Sequence, residues 1–394
     1  MRGTTVILLL IEITFIAFLT QISEGKKFDA EIKEENLDYY LRNVFNFTRS
    51  YVSISNKEIV RSYIQNKFED LKSERILTFT QNFTYTSGEI KDTGKNYVLL
   101  IKGENYGKAS DEVLVVGAHY DSQKNTPGVD DNGSGMAALL EMATVLSKTA
   151  CKNIHTIILV AFDYEEFGLV GSENFVDQWL LPEILNKHNS TLQVALILET
   201  IMNYNDTSNS QSFPPNFNQM APDTYAHLTR NDFKGDFLTL IGRIDDKSLA
   251  MEIIDEYDID GIINSNCLNI TIPISGKPSL GHQNLFADFF RSDHTSFWLR
   301  NLNALFITDT ANFRGIMELC YHNTCDNVNT MINSNNLKFL LKNTRALTNF
   351  VYSKTYANKE CDGKDGSSNS TRNLQSTFII LLSYFLYHIA VGKQ

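Results

Sequence analysis

The sequence has no excess of positive charge. It carries 35 Lys and Arg against 46 Asp and Glu, a formal net charge of −11 over 394 residues. Such a surface repels polyanions, so no nucleic-acid partner is expected. Charged residues make up only 21% of the chain and hydrophobic ones 43%. These values exclude a disordered protein, a collagen and a coiled coil, and they are typical of a folded globular protein.

Both ends of the chain are predicted to be targeting segments. Residues 1–25 combine an early Arg2, an apolar run over 6–19 and small residues suited to cleavage, which predicts a secretory signal peptide; an uncleaved anchor is the alternative. Residues 361–394 run from small residues through a polar stretch to an apolar tail, the order of a GPI-anchor signal. A packed C-terminal helix or a short membrane anchor are the alternatives. The predicted location is therefore outside the cell, secreted or at the cell surface, with membrane contact only through this tail.

Cysteines and glycosylation sequons fit that location. Five cysteines cannot all pair within one chain, so at least one is free or intermolecular: Cys151, Cys267, Cys320, Cys325 and Cys361. N-x-S/T sequons occur at seven positions: Asn46, Asn82, Asn132, Asn189, Asn205, Asn269 and Asn369. Each is weak evidence by itself, but together they fit passage through a glycosylating compartment.

The remaining residues, 26–360, read as one α/β domain. Near-continuous Val/Ile/Leu runs predict central strands covered on both faces, at 97–101, 113–118, 156–162, 194–198 and 304–307. A helix is predicted over 56–71, and another follows the second strand. Five apolar residues form the predicted buried face of the first helix: Ile59, Val60, Tyr63, Ile64 and Phe68. This alternation predicts a three-layer α/β/α domain around a mixed, mostly parallel sheet.

Acidic residues and histidines follow these strands. They occur in HYDS (119–122), PGVDDNGSG (127–135), EEFGLVGS (165–172), LETIMNY (198–204), TDTANFR (308–314) and CYHNTCD (320–326). Ligands of such sheets bind beyond the carboxyl ends of the strands, so these side chains are expected to converge. Taken singly, each is more simply a surface histidine or a solvated acidic turn. Together they suggest a site for two divalent cations bridged by a carboxylate, with Zn²⁺ favoured over Mn²⁺ or Co²⁺.

These motifs, together with RSDHTSFW (291–298), closely resemble the M28 family of zinc aminopeptidases, over roughly residues 56–352. The resemblance implies the zinc exopeptidase fold and two zinc ions per chain. It makes His119 a terminal ligand of one metal and Asp130 the bridge between the two. Glu166 and His322 would bind the second metal and Glu199 would complete the first. Many members carry Asp at the position of Glu199, but a branch with the similar motif LEMIGY carries Glu.

The resemblance also implies the remaining roles. Glu165 would be the general base that activates a metal-bound water, and Tyr321 would donate a hydrogen bond to the developing oxyanion. Cys320 and Cys325 would form a disulfide around the ligand loop; metal thiolates are the less favoured alternative. Asp121 would orient the His119 imidazole, or else only cap the end of a strand.

Five further expectations concern the surroundings of the site. Arg291 would contact the substrate, and Asp293 would be a hydrogen-bond partner of a metal ligand. His294 would be either part of the site or an ordinary core histidine. Asp131 would be held by backbone amides in its Gly-rich turn. The segment 203–242 resembles a loop that shapes the cleft, although its aromatic residues would equally suit surface packing.

The function predicted from this resemblance is hydrolysis of N-terminal residues from peptides with a free amine. Alternatives within the resemblance are a carboxypeptidase, which usually carries additional domains, and a glutaminyl cyclase, which works at one zinc. A catalytically inactive receptor-like homologue is a further alternative, but such proteins lose metal ligands. Neither the preferred N-terminal residue nor the oligomeric state follows from the sequence.

Overall fold

The computed structural model describes residues 28–88, 90–149 and 152–356. Residues Ala30–Tyr356 form one compact unit. The predicted signal peptide and the predicted GPI-anchor signal lie outside the described residues. Within the described part of the chain, no helix combines the length and the apolar character needed to cross a bilayer.

The described residues form a mixed sheet of eight strands in the order β1-β2-β4-β3-β5-β8-β6-β7. Parallel pairing joins β4, β3, β5 and β8 in the centre and also β6 to β7, while β1, β2 and the β6–β8 pair run antiparallel. The strands are β1 (Ile76–Ser87), β2 (Ile90–Ile101), β3 (Glu112–His119), β4 (Ile157–Phe162), β5 (Thr191–Leu198), β6 (Phe237–Arg243), β7 (Asn266–Ile272) and β8 (Ala304–Thr308). This confirms the predicted mixed sheet of one α/β domain.

Two helices precede the first strand, and the other helices lie between or after the strands along the chain. They are α1 (Glu34–Asn43), α2 (Ile54–Glu69), α3 (Gly133–Ser147), α4 (Val170–Phe175), α5 (Phe217–Met220), α6 (Pro222–Arg230), α7 (Lys247–Glu256), α8 (Leu280–Leu285), α9 (His294–Trp298), α10 (Met317–Cys320), α11 (Val328–Met331) and α12 (Ser334–Thr355). A π-helical stretch, Val176–Asn186, continues α4, and short 3-10 turns cover Ile244–Asp246, Ala287–Phe289 and Ala311–Phe313.

The central strands are buried on both faces, as their uninterrupted apolar runs predict. In β4, Ile158 and Val160 belong to one core cluster, while the alternate residues Ile157 and Leu159 are equally buried outside that cluster. Side chains alternate between the two faces of a strand, so a helical layer must cover each face. The strand ends, rather than the strand faces, are therefore the places where polar side chains can meet.

Three strands were not predicted, and the buried face of one helix was predicted only in part. Strands β1 and β7 lie at the two edges of the sheet and interleave polar with apolar residues, which hides them in a search for continuous apolar runs. Strand β6 lies within the segment read as a loop. In α2, Ile59 is 59% exposed, whereas Lys57 and Arg61 are buried. The predicted face is confirmed at Val60, Ile64 and Phe68 but is wrong at Ile59. It missed the two cations, which are buried because they bind the buried carboxylate of Asp163.

Candidate metal centre

The ends of three parallel strands converge at one edge of the sheet. His119 is the last residue of β3, Glu165 and Glu166 follow β4, and Glu199 follows β5 directly. Since β3 pairs in parallel with both β4 and β5, their carboxyl ends lie side by side. Two groups of three side chains result, each close enough together to bind one metal ion.

The first group contains His119, Glu165 and Glu199. The Nε2 atom of His119 lies 3.1 Å from Glu199 Oε2 and 3.8 Å from Glu165 Oε2. All three residues are buried. Glu199 is held in place by Ser292, whose hydroxyl donates a hydrogen bond of 2.8 Å to Glu199 Oε2. Ser292 is adjacent to the residues considered in the RSDHTSFW motif, and nothing in the sequence distinguished it.

The second group contains Asp131, Glu166 and His322. The Nε2 atom of His322 lies 3.1 Å from Asp131 Oδ2 and 3.2 Å from Glu166 Oε2. The other oxygen of Asp131, Oδ1, lies 3.4 Å from His119 Nε2. One carboxylate thus spans the two groups, with one oxygen towards each imidazole.

This geometry differs from the prediction for Asp130, because Asp131 is the carboxylate that lies between the two histidines. The carboxylate of Asp130 is fully buried and belongs to neither group. Its Oδ1 accepts the N–H of Met202 at 3.3 Å. Burial raises the pKa of Asp130 well above its ordinary value, and the nearby Asp309 adds to the effect. The two neighbouring carboxylates point in different directions from the turn, and a spacing argument cannot say which one faces the histidines.

The backbone amides of this turn are bound by Asp326 and not by Asp131. Asp326 Oδ1 accepts the N–H of Asp130 at 2.8 Å, and Asp326 Oδ2 accepts the N–H of Asp131 at 3.0 Å. Asp326 follows Cys325, which forms a disulfide with Cys320, the pair implied by the resemblance. The disulfide-closed loop that carries His322 therefore also positions the bridging carboxylate. Asp326 closes the CYHNTCD motif, but sequence reasoning gave it no role.

Asp121 contacts the His119 ring, as expected, and also organises the loop of the two glutamates. His119 Nδ1 lies 3.1 Å from the backbone oxygen of Asp121 and 3.4 Å from its Oδ1. The carboxylate of Asp121 accepts the backbone N–H of Glu165 at 3.1 Å and that of Glu166 at 3.3 Å. One residue thus orients ligands of both groups, because such outer contacts hold side chains at the angle that coordination needs.

Tyr321 and Arg291 lie beside the centre, and Tyr321 stacks on a candidate ligand. The ring centroids of Tyr321 and His322 are 3.9 Å apart at an interplanar angle of 20°. The guanidinium carbon of Arg291 lies 5.1 Å from the Tyr321 centroid. Burial raises the pKa of Tyr321 well above its ordinary value, and the charge of Asp131 adds to this effect. The hydroxyl therefore keeps its proton near neutral pH and can donate a hydrogen bond.

Asp293 and His294 make no hydrogen bond to a candidate metal ligand among the described residues. Burial raises the pKa of Asp293 to about 7, although His119 and Ser172 both lie near enough to lower it. His294 stacks on Phe306 at 4.5 Å, and its Nε2 donates to the backbone oxygen of Phe289 at 2.9 Å. His294 is therefore a core histidine.

A buried cluster of charges supports the loop that carries Glu165. Asp163 is completely buried, and its Oδ1 lies 2.6 Å from Lys57 Nζ. Arg61 pairs with its Oδ2. Burial alone would raise the pKa of Asp163, but the two cations outweigh it and the pKa is lowered. Both cations come from α2, so this N-terminal helix is fastened to the end of β4, two residues before Glu165. The sequence shows that Lys57 and Arg61 are spaced to lie on one side of α2, but it does not show that Asp163 is their partner.

Arg49 fastens the chain before α2 to the two loops that carry His119 and Asp131. It is fully buried and donates to backbone oxygens of both loops, to Tyr120 at 2.7 Å and to Gly128 at 2.9 Å. Carbonyl oxygens compensate a buried guanidinium only in part, and burial lowers the pKa of Arg49 to about 10. No sequence pattern had indicated this residue.

The electrostatics of the centre are those of a site that needs a cation. Burial raises the pKa of Glu166 to about 7 and that of Glu165 well above its ordinary value. Burial alone would lower the pKa of His322, but Asp131 and Glu166 raise it to about 10. Four acidic side chains lie close to the buried His119 and the partly exposed His322, and bound protons must offset the repulsion between the carboxylates where no metal is present.

The nitrogen and oxygen atoms of the two groups are suitable ligands for divalent metal ions. Asp131 Oδ2 and Glu166 Oε1 are buried oxygens without a correctly oriented hydrogen-bond donor among the described residues. Buried carboxylate oxygens normally have such a donor or bind a metal. Imidazole nitrogens combined with carboxylate oxygens, without thiolates, suit Zn²⁺. The cysteines nearest in sequence to His322 are joined in the disulfide and are not available as thiolate ligands.

Comparisons with known proteins agree with this centre. Residues 96–233 match the model of Peptidase family M28. Uncharacterized protein YfbL of Escherichia coli (strain K12) is 27% identical over 253 residues, covering 62% of this chain and 69% of YfbL. Aminopeptidase YwaD of Bacillus subtilis (strain 168) is 40% identical over 85 residues, 22% of this chain and 18% of YwaD. The chain thus matches less than a fifth of YwaD.

Solved structures share the fold. The structure of Legionella pneumophila LapA aminopeptidase aligns with a TM-score of 0.56 at 18% identity, covering 82% of this chain and 72% of that one. That of Macrostomum lignano glutaminyl cyclase aligns with a TM-score of 0.57 at 13% identity, covering 84% and 95%. At these identities the likeness concerns the fold and does not select a reaction. Residues 96–233 of this chain are therefore similar to Peptidase family M28, and the aminopeptidase relative and the clustered histidines and carboxylates agree with that similarity.

Proposed function

We propose that this protein is a two-zinc aminopeptidase that removes the N-terminal residue from peptides. The observation that carries the proposal is the position of Asp131, whose two oxygens face His119 and His322 from a single buried carboxylate. A bridging carboxylate with terminal ligands on either side is the arrangement that a pair of metal ions requires. The aminopeptidase relative supports the same activity.

The residues that would bind the two ions follow from the distances. His119 and Glu199 would bind the first ion, Glu166 and His322 the second, and Asp131 both. When bound, zinc ions polarise a carbonyl group and make a water molecule more acidic. Two ion sites also favour hydrolysis over the cyclase chemistry, which was expected at one zinc.

Glu165 would be the general base. It is buried beside His119, and its Oε2 is farther from His119 Nε2 than the nearest oxygen of Glu199 is, at 3.8 Å against 3.1 Å. Its raised pKa suits a group that accepts a proton from the attacking water and delivers it to the departing amine. Glu165 thus differs in task from the adjacent Glu166, whose side chain faces His322.

Tyr321 and Arg291 would act on the substrate carbonyl. The Tyr321 hydroxyl keeps its proton, and Arg291 lies against the Tyr321 ring at the opening of the centre. A positioned donor of this kind can lower a barrier by roughly 3 kcal/mol. The surplus of carboxylates would attract the α-ammonium group of the substrate, which explains why a free N-terminus would be required.

The test compares two glutamine variants. Purified protein with zinc should release the first residue from a free peptide but not from its N-acetylated form. Glu165→Gln should lower kcat at least 100-fold and keep two zinc equivalents, because a general base typically contributes 10²–10⁴-fold. Glu183→Gln, a change at a half-exposed glutamate remote in sequence from the motifs, is the matched control and should retain full activity.

Other outcomes would select other functions. Release of the C-terminal residue would indicate a carboxypeptidase, and cyclisation of N-terminal Gln with ammonia release would indicate a cyclase. Purified protein with about zero zinc equivalents and no turnover would indicate an inactive homologue. Each of these results would contradict the proposal.

We also propose that the protein is secreted or held at the cell surface. The Cys320–Cys325 disulfide supports this location, because such bonds persist in oxidising compartments. Exposed sequon asparagines, Asn82 and Asn189, support it too. Detection of the native protein in medium or on intact cells, with and without phospholipase treatment, tests both the location and the GPI anchor.

A further inference from the structure

An open cavity lies between one edge of the sheet and the π-helical stretch Val176–Asn186. Leu77 and Phe79 of the edge strand β1, together with Leu100 of β2, line it from the sheet side. Its open space is about 530 Å³. None of its described lining residues belongs to either group of the metal centre. The cavity is therefore separate from the candidate active site.

Aromatic rings in this cavity are left partly open to solvent. Phe79, Tyr106 and Trp179 pack against the main core cluster but are only partly buried. The ring centroids of Phe79 and Trp179 lie 4.8 Å apart, and those of Tyr106 and His188 lie 6.0 Å apart. The negative face of an aromatic ring attracts C–H groups that carry a small positive charge. These rings therefore suit a ligand whose apolar face presents such C–H groups.

The helical wall of the cavity brings apolar and polar side chains together. Hydrogen bonds of a π-helix join residues five apart, so one turn contains more than four residues. Trp179, Ile184 and His188 are spaced by about one turn and line the cavity together. Glu183 and Lys187 also line it, and their ion pair of 2.9 Å is about half exposed. The cavity thus combines apolar surface with exposed groups that can bond to hydroxyls.

A glycosylation sequon begins at the residue after His188. It consists of Asn189, Ser190 and Thr191, and Asn189 is exposed. Consecutive Cα atoms are about 3.8 Å apart, so a sugar on Asn189 would be attached next to the cavity wall. The Ser190 hydroxyl donates to the backbone oxygen of Ile184, a residue of that wall, at 2.9 Å. This hydrogen bond fixes the attachment point relative to the cavity.

We propose that the cavity binds the first N-acetylglucosamine of a glycan on Asn189. The inference goes beyond the aminopeptidase function and rests on the proposed passage through a glycosylating compartment. One face of the sugar ring presents C–H groups to Trp179 and Phe79, while its hydroxyl and acetamido groups reach Glu183 and Lys187. Because the sugar is tethered beside the cavity, it loses less freedom on binding than a free sugar would.

Tryptophan fluorescence reports on this contact. The chain has two tryptophans, of which Trp298 is fully buried and Trp179 partly exposed, so added acrylamide quenches mainly Trp179. Protein from a eukaryotic host is compared with its Asn189→Gln variant, which cannot carry the glycan. Quenching of the wild type should be at least about 2-fold weaker, because a bound ligand covers most of a cavity wall. Trp179→Phe should remove most of the quenchable emission and so confirm the reporter.

Trimming the glycan distinguishes contact from general shielding. An endoglycosidase that leaves one N-acetylglucosamine should preserve the protection of Trp179, whereas a solvated chain that only shields the surface would lose it. Asn82→Gln is the matched control, since Asn82 is an exposed sequon residue on the same strand as Phe79. Side chains alternate along a strand, so Asn82 and Phe79 lie on opposite faces. Asn82→Gln should leave the quenching unchanged.

Thermal unfolding provides a second, independent measurement. Asn189→Gln should lower Tm by about 2 °C or more relative to the glycosylated wild type, the shift expected when a favourable contact of moderate size is lost. On a Trp179→Ala background the same change should lower Tm by less than half as much, because the two groups contact each other. Equal decreases on both backgrounds would contradict a contact between the sugar and Trp179.

Several outcomes would overturn the inference. An unmodified Asn189 in protein whose Asn82 carries a glycan would overturn it and leave the proposed location intact. Equal quenching of the wild type and Asn189→Gln, or loss of protection on trimming, would show that the sugar does not occupy the cavity. Protection of Trp179 that depends on protein concentration rather than on Asn189 would indicate a second copy of the chain instead. Absence of glycans from every sequon would contradict the proposed location as well.

Discussion

Lys57 Nζ lies 2.6 Å from Asp163 Oδ1, and both side chains are hidden from solvent. Arg61 pairs with the other oxygen of the same carboxylate. The lysine ammonium also lies 3.7 Å from the centroid of the Tyr164 ring. An N-terminal helix is thus joined by charge to the strand end that leads to Glu165. Lys57 and Arg61 are far from the motifs in sequence, yet they help to hold the loop that carries Glu165.

Removal of Lys57 should therefore destabilise the protein. Lys57→Met leaves a buried carboxylate partly uncompensated, and loss of one partner of a buried ion pair costs about 3–5 kcal/mol. Urea denaturation should show a decrease of this size in the free energy of unfolding. The double variant Lys57→Met/Asp163→Asn should recover part of it, because the carboxylate charge is gone. Equal stabilities of the wild type and Lys57→Met would contradict the assigned role of the pair.

Metal content should distinguish the two neighbouring aspartates. Asp131→Asn removes the carboxylate that faces both histidines, so zinc should fall from two equivalents to one or fewer. Asp130→Asn should keep two equivalents, because its side chain faces Met202 and Asp309. Mass-spectrometric metal analysis of the dialysed proteins measures both. The reverse pattern would restore Asp130 as the bridge.

Zinc affinity should fall as the pH falls. The pKa of His322 in the metal-free protein is raised to about 10, and that of Glu166 to about 7. A metal ligand must be deprotonated, so zinc must displace a proton from His322 below pH 10, and from Glu166 as well below pH 7. Affinity should therefore decrease about tenfold per pH unit for each proton displaced. Calorimetry in buffers of different ionisation enthalpy counts the released protons, and a count of zero at pH 6 would contradict this prediction.

The stability of the metal-free protein should have the opposite pH dependence. Glu166 and His322 both have a folded-state pKa above the ordinary one, so each contributes stability in its protonated form. The contribution of Glu166 is complete below pH 4.5 and is lost as the pH rises through about 7. That of His322 is complete below pH 6.5 and is lost as the pH rises through about 10. Denaturation of chelator-treated protein at pH 6 and 8 measures the difference, which added zinc should remove.

Asp326 should control the second metal site without binding metal. Asp326→Asn would direct an amide group at one of the two N–H groups that the carboxylate now accepts. Zinc affinity at the site of Asp131 and His322 should fall about 10-fold to 100-fold, the usual effect of losing an outer contact. Asp288→Asn, at a partly exposed aspartate, serves as the control. Unchanged zinc affinity in Asp326→Asn would show that the turn keeps its shape without this contact.

We expect glycans at exposed sequons and none at a buried sequon. The side chain of Asn132 is fully buried, accepts the N–H of Gly135 at 3.1 Å and donates to Leu198 at 2.7 Å. No glycan fits there, so site mapping of protein from a eukaryotic host should find Asn132 unmodified. The exposed Asn82 and Asn189 should be occupied. A glycan on Asn132 would contradict this packing.

Patterns along the sequence were sufficient to predict the class of fold and the motifs around the candidate metal centre. Strands buried on both faces must be apolar throughout, and ligand side chains must follow them, so His119, Glu166 and Glu199 stand out along the chain. The tertiary structure alone decided which of two adjacent aspartates faces the histidines, because that depends on the direction of a turn held by Asp326, almost 200 residues away. It also decided how Lys57 reaches Asp163. Contacts between residues far apart in the chain follow from packing, and packing leaves no local pattern in the sequence.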